Sequence, residues 1–191
     1  MNEQLDQRDI FLTGKHIVLK CLTRDDVINS NWYGWFNDEQ LSKTLQKHYF
    51  PNTLESQLLF WENNIAKSTN KFQVGICKKG SAKIIGICSL NNIDYINRKC
   101  EFSIIIGEKK EQNIIIFIES CKLIFNHAFN TLNMNKIYGG SISKDLVLLM
   151  IRSLNCKQDG ISPEDIYKDG SYHDAYRYSL LKKDFSYNSN K

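Results

Sequence analysis

CEFSIIIGEKKEQNIIIFIESCKLIF, residues 100–125, sets a strand, a polar turn and a helix end to end. The run CEFSIII (100–106) is short, apolar and rich in β-branched residues, the mark of a buried strand. Five polar residues follow Gly107, and a helix takes over at about Asn113. Its apolar positions, Ile114, Phe117, Ile118, Cys121, Phe125, Ala128 and Phe129, keep the i, i+3, i+4, i+7 spacing for four turns. Lys122, Asn126 and His127 fall on its other side. A strand that empties into a helix aims free backbone N–H groups at whatever lies beyond the strand's end, and such a terminus attracts anions.

Working outward, KFQVGIC (71–77) and KIIGICSL (83–90) flank the glycine-containing turn KKGSA and predict a hairpin. With residues 100–106 they make three sequential strands, an antiparallel meander. HIVLKC (16–21) alternates as a strand. TRDD (23–26) carries Thr23 and Asp26 at capping-box spacing and opens a helix toward Trp32–Phe36. NDEQLSKTLQ (37–46) starts a short helix capped by Asn37 or Asp38. Pro51 holds HYFPN (48–52) in a loop. TLES (53–56) repeats the capping-box pattern before a helix bearing Leu54, Leu58, Phe60, Trp61 and Ile65. KIYGGSI (136–142) reads as a strand, LVLLMIRSL (146–154) as a buried helix and DAYRYSLL (174–181) as a closing strand, with helix crossovers that imply parallel pairing. The tail FSYNSNK reads as frayed. The fold class is therefore α/β (α+β), with a mixed, mostly antiparallel central sheet and helices on both faces.

The totals exclude several functions. Hydrophobic content of 42 % and charge of 24 % in 191 residues describe one ordinary globular domain. A net charge of +4 is spread along the chain, without the basic stripe of a nucleic-acid face. No apolar run approaches the roughly 20 residues of a membrane span, and MNEQLDQRDI lacks a signal-peptide pattern. The six cysteines lie far apart and read as reduced, mostly buried thiols. The four histidines, at 16, 48, 127 and 173, show no metal-ligand spacing. A cytoplasmic, metal-free single domain is expected.

The chain resembles the GNAT acetyltransferases, in particular the RimJ/RimL-like branch, which includes acetyltransferases of amino-sugar nucleotides. The resemblance spans nearly the whole chain: GKHIVLKCLTRDD, NWYGWFNDEQLSKTLQ, FPNTLES, CEFSIIIGEK, LIFNHAFNTLNMNKIYGGSI and YKDGSYHDAYRYSLLKKDF. It implies transfer of an acetyl group from acetyl-CoA to a small-molecule amine, plausibly on a nucleotide-linked amino sugar. The cofactor would lie against Ile106, Gly107, Glu108, Gln112, Asn113, Ile114, Ile115 and Asp145.

Two positions depart from the family. Its phosphate motif, Q/R-x-x-G-x-G/A, falls on residues 112–117, where only Gln112 fits. Ile115 and Phe117 take the glycine positions, so a different loop path is expected, with the helix N-terminal amides crowded by branched and aromatic side chains. Counting back from Leu154-Asn155-Cys156 puts Ile151 where the family has a thiolate-protonating tyrosine, and Asp145 near the family's asparagine. Tyr138 is a substitute acid or strand packing.

Glu101 is the candidate general base, or else a solvated strand-end carboxylate. The backbone of residues 106–108 is the expected N–H donor to the acyl oxygen. Trp35, Asn37, Asp38, Tyr49, Phe50 and His173 are candidate acceptor-binding residues, with Trp32 and Phe36 as core anchors and His173 paired to Asp174. Two readings remain beside the acetyltransferase: a GNAT-fold protein that binds a ligand or partner without transfer, and a transferase with another acyl donor such as a carrier protein. A homodimer through an exposed edge strand is open.

Overall fold

The computed structural model describes residues 5–43, 45 and 49–187. Eight strands form one sheet: β1 (Ile10–Thr13), β2 (Ile17–Cys21), β3 (Phe72–Lys78), β4 (Ile84–Asp94), β5 (Lys99–Ile106), β6 (Lys136–Ser141), β7 (Lys157–Lys168) and β8 (Ser171–Leu181). Their spatial order is β1-β2-β3-β4-β5-β6-β8-β7. Among the described residues only the β5–β6 pair is parallel, because the helix α5 (Ile114–Asn126) carries the chain back between them. The remaining helices are α1 (Arg24–Asn29), α2 (Trp32–Trp35), α3 (Glu39–Ser42), α4 (Leu54–Trp61) and α6 (Lys144–Leu154). The mixed, mostly antiparallel sheet with helices on both faces is as the sequence reads.

Two apolar clusters sit on opposite faces of the sheet. On one face Phe125, Phe129 and Ile124 of the α5 region and Val147 and Met150 of α6 pack on Leu19, Ile76, Leu90 and Cys100. On the other, Val27, Trp32 and Trp35 pack on Val18, Cys77 and Ile84. Strand alternation divides β5 between them: Phe102 and Ile106 face the first cluster and Ile105 the second.

Local chemistry explains most boundaries. Thr23 and Asp26 form a complete capping box at α1, whereas Thr53 makes only the forward half of one, since its partner position holds Ser56. The helix opened by TRDD stops at Asn29 and restarts at Trp32, so it does not run on to Phe36. Asp38, not Asn37, caps α3. The reading of that helix to residue 46 extends over Thr44 and Gln46, and the 48–52 loop begins with His48; these three residues lie outside the described ones, as do residues 188–191 of the tail.

Several expectations change. Ile114 is 53 % exposed, and Ile116, not Ile114, is the buried isoleucine of the first turn. His127 is buried, its ring stacked on Phe72 and edge-on to Phe11. Phe185 and Tyr187 of the tail pack on the core, Phe185 with its ring 5.1 Å from that of Phe129. The closing strand β8 runs antiparallel to β6, because β7 intervenes in the chain and supplies the return. Both β7 and the edge strand β1 carry no clear sequence signal. Strand β7 is mostly exposed, holds Pro163 and bulges twice, so its apolar alternation is broken.

Candidate active site

The sheet splits in its middle. Strands β5 and β6 are in register only over Lys99–Glu101 and Lys136–Tyr138. The β4–β5 ladder continues to Ile106, and beyond it the Gly107 and Glu108 amides both donate to the Ile85 carbonyl, at 2.9 and 3.0 Å. In an antiparallel ladder successive residues bond to alternate sides. The N–H groups of Ile104 and Ile106 therefore face away from β4, toward the gap that β6 has left. The expected donors to an acyl oxygen narrow accordingly: Gly107 and Glu108 are occupied, and Ile106 is open.

Two cavities meet on this strand. One, of about 560 Å³, is lined by Ile106, Gln112, Asn113, Ile114 and Phe117 at the β5–α5 junction and by Leu146 and Leu149 of α6. The other, of about 670 Å³, lies over the opposite side, lined by Trp32, Gln57, Glu101, Ser103, Ser141 and Arg177 among others. Ile104 and Ile105 line both.

The junction is built without strain. Gly107 is there because Trp35 lies against it: a Cβ would overlap the indole. Gln112 donates through Nε2 to the Ile106 carbonyl at 2.9 Å, closing the loop. Asn113 caps α5, its Oδ1 accepting the Ile116 amide at 3.0 Å. No residue of 107–118 has a positive φ. The isoleucines simply form the first helical turn, and Ile114 and Ile115 point outward, 53 % and 58 % exposed. Ile115 therefore stays clear of the cavity, whereas Ile114 and Phe117 line it. The Ile114 and Ile115 amides have no intrahelical partner and carry the positive end of a 13-residue helix.

The other candidates fall in varied places. Glu101 lines the larger cavity and accepts from Asn92 Nδ2 at 2.9 Å. Strand rise puts it ~10 Å from Ile104. Tyr49 and Phe50 line the same cavity, with the Tyr49 hydroxyl donating to the Tyr167 carbonyl at 2.9 Å. Trp35, read as a pocket wall, is 1 % exposed and serves as core and as the support of Gly107. Trp32, read as a core anchor, is one: it is fully buried in the second apolar cluster, with Phe36 packed against that cluster, and both residues also line the larger cavity. Asn37 exchanges two 2.7 Å hydrogen bonds with the Asn52 backbone and fastens the Pro51 loop. Asp38 caps α3 and pairs with Lys109 at 2.7 Å, which holds its carboxyl below the usual range. His173 contacts Ser171 and the Lys168 carbonyl, while Asp174 accepts the Glu164 amide, so the two do not orient each other.

Asp145 is exposed in the first turn of α6 and lines neither cavity. Ile151 is partly buried against the core. Tyr138 is kept protonated above its ordinary range by burial, with Glu101 adding to the effect, and its ring lines neither cavity. Ser89, Asn91 and Ser103 of the larger cavity carry no mark in the sequence as site residues. Among described residues no cluster of His, Cys, Asp or Glu could hold a metal, and no helix is long and apolar enough to cross a membrane.

This split sheet is that of an acetyltransferase fold. Residues 16–144 match the family model described as the acetyltransferase (GNAT) domain, well over half of the chain, and the chain belongs to that family. It is 27 % identical over 176 residues to "Putative ribosomal N-acetyltransferase YdaF" of Bacillus subtilis (strain 168), covering 90 % of this chain and 94 % of the relative. "Uncharacterized N-acetyltransferase p20" of Bacillus licheniformis is 21 % identical, with 84 % and 89 % covered. In fold the chain is similar to spermidine N-acetyltransferase from Vibrio cholerae in complex with CoA and spermine. That TM-score is 0.80 at 19 % identity, over 90 % of this chain and 98 % of the other.

Proposed function

We propose that the chain is an N-acetyltransferase that uses acetyl-CoA as donor and takes the primary amine of a small molecule in its larger cavity. The observation that carries this reading is the divergence of β5 from β6 beyond Glu101 and Tyr138, with two cavities meeting at Ile104 and Ile105. Acetyl-CoA fits the residues of the smaller cavity. The free Ile114 and Ile115 amides at the start of α5 suit a pyrophosphate, and the unpaired edge of β5 offers amide partners. When bound, it supplies a thioester carbonyl open to attack by an amine.

The protein's own part is then positional. The Ile106 amide donates to the acyl oxygen where negative charge develops. Glu101 receives the ammonium proton through water, since it sits too far from Ile104 for direct contact at the junction. For the acceptor we favour a nucleotide-linked amino sugar, which suits the exposed aromatic rings of Tyr49 and Phe50 at the cavity. Linear polyamines, which the Vibrio cholerae relative binds, are the competing class.

One observation favours a second reading, ligand binding without transfer: no tyrosine or carboxylic acid is among the described residues lining the smaller cavity. The departing sulfur would take its proton from water. Calorimetric titration with acetyl-CoA and with coenzyme A, followed by thiol release against an amine panel, separates the two. Micromolar binding with thiol release supports the enzyme. Binding without release at any amine supports the second reading, and no heat at millimolar ligand removes the donor site.

A further inference from the structure

Strands β4 and β5 set two polar pairs side by side on the wall of the larger cavity. Asn91 lies opposite Glu101 and Ser89 opposite Ser103, and all four line that cavity. Glu101 and Ser103 are two apart on β5, so their side chains leave the same face of the strand. The Ser89 and Ser103 hydroxyl oxygens are 2.7 Å apart, and Asn91 Nδ2 donates to them at 3.3 and 3.1 Å.

The hydroxyl protons can be counted. Two serines carry two, and the one hydrogen bond between them uses one. Ser89 is 5 % exposed, whereas Ser103 is open to the cavity. A buried hydroxyl without an acceptor forfeits the hydration of its proton, so Ser89 donates and Ser103 accepts. The Ser103 proton then has no acceptor among the described residues and is turned to the cavity. Its oxygen already accepts from Ser89 and Asn91, so toward the cavity Ser103 is a donor alone.

Glu101 supplies the complementary half. Its Oε2 accepts from Asn92 Nδ2 at 2.9 Å, and its Oε1 has no partner among the described residues. The Cα atoms of Glu101 and Ser103 are ~7 Å apart along the strand, a separation that one water bridges between two short polar side chains. A water that accepts from Ser103 and donates to Glu101 Oε1 keeps one lone pair facing the cavity.

Resting on the transferase reading, we propose that Ser103 is a positioning residue that fixes this water for proton transfer from the acceptor's ammonium group to Glu101. The free lone pair of the water takes an N–H proton of the ammonium while one of its own protons passes to Glu101 Oε1. The carboxylate becomes a carboxylic acid and the water is regenerated. The amine nitrogen keeps the electron pair that attacks the thioester carbonyl. Ser89 and Asn91 contribute by filling the lone pairs of Ser103.

The test is steady-state thiol release by the purified full-length protein, with acetyl-CoA and with D-glucosamine, its uridine diphosphate conjugate and spermidine as acceptors. Ser103→Ala is expected to lower kcat about tenfold and to leave KM for the amine within about twofold. Ser103→Thr keeps the hydroxyl and should return kcat to within about twofold of wild type. The double variant Ser89→Ala/Ser103→Ala, which orphans no hydroxyl, should be as slow as Ser103→Ala. In the Glu101→Gln background, Ser103→Ala should cost less than about a further twofold, because one water serves both residues. Equal factors in the two backgrounds, or Ser103→Ala at the wild-type kcat, would overturn the proposal while the transferase reading stands. Wild-type protein that releases no thiol with any of the three amines would remove both.

Discussion

Glu101 and Tyr138 are the last residues in register between β5 and β6, and everything proposed for the site begins where their pairing ends. Up to that pair β5 is hydrogen-bonded on both sides, to β4 and to β6. Beyond it, β5 keeps bonding to β4 on one side and presents the Ile104 and Ile106 amides on the other. A continuous sheet could not offer those donors, so the split converts structural hydrogen-bonding capacity into binding capacity. Glu101 stands at the fork, its side chain in the larger cavity and held by Asn92.

Glu101→Gln tests whether that carboxylate moves a proton. The amide keeps the size and can still bond to Asn92, so folding should change little. Loss of a general base acting through water is expected to lower kcat about 100-fold, with KM for the amine near the wild-type value. Steady-state thiol release across pH checks this, and an unchanged kcat would make Glu101 a solvated strand-end carboxylate.

At the start of α5, backbone and side chains should separate cleanly. Ile115 is exposed, and on the proposed reading its amide, not its side chain, meets the pyrophosphate. Ile115→Ala should therefore alter stability by less than about 0.5 kcal/mol and leave acetyl-CoA affinity near wild type. Asn113→Ala removes the cap on the Ile116 amide and should cost about 1 kcal/mol. Because the first turn then frays, acetyl-CoA affinity should fall as well. Chemical denaturation and calorimetry on the two variants give both numbers.

The same two segments show how far the sequence could be read. Short apolar runs bounded by turn residues made β3, β4 and β5 legible, and a four-turn apolar repeat made α5 legible, because strands buried on both faces and a helix packed along one side demand those patterns. Strand β7 has no such demand, lying at the sheet edge with mostly exposed side chains, so Pro163 and two bulges cost it little. Glycines missing at 115 and 117 look like damage to a phosphate loop, yet those positions are ordinary helix here and need no positive φ. Trp32 and Trp35, three apart, are separated from sequence as core anchor and pocket wall, whereas both are buried. Only the cavity and Gly107 distinguish the one that faces a ligand space from the one that supports a backbone. The Ser89–Ser103 hydroxyl pair was invisible, since only the register of β4 on β5 brings the two together.

Gly107 should be among the least tolerant positions of the chain. Any Cβ there meets Trp35, which is 1 % exposed and cannot withdraw. Gly107→Ala is expected to cost about 3 kcal/mol through this overlap. Relief by displacement of the loop would also move the Ile106 amide, so a variant rescued at low temperature should bind acetyl-CoA more weakly. Thermal melts and calorimetry measure the two effects; a melt within a degree of wild type would mean that Trp35 and the loop move apart freely.

His127 gives the fold a pH dependence whose sign is set by its surroundings. Its imidazole lies between Phe11 and Phe72, and burial pushes its pKa below the ordinary value. The unfolded chain, with a histidine pKa of about 6.5, then takes up the proton more readily than the folded one. Above that pH the residue is neutral in both states and adds no dependence. As the pH falls below it, protonation favours the unfolded chain and stability is lost. Melting temperature should accordingly drop between pH 7 and pH 5, and the drop should shrink in His127→Phe, which keeps an aromatic ring among the same partners without a titrating group. An equal drop in wild type and variant would assign the acid sensitivity to other groups and show that His127 stays neutral or finds solvent when protonated.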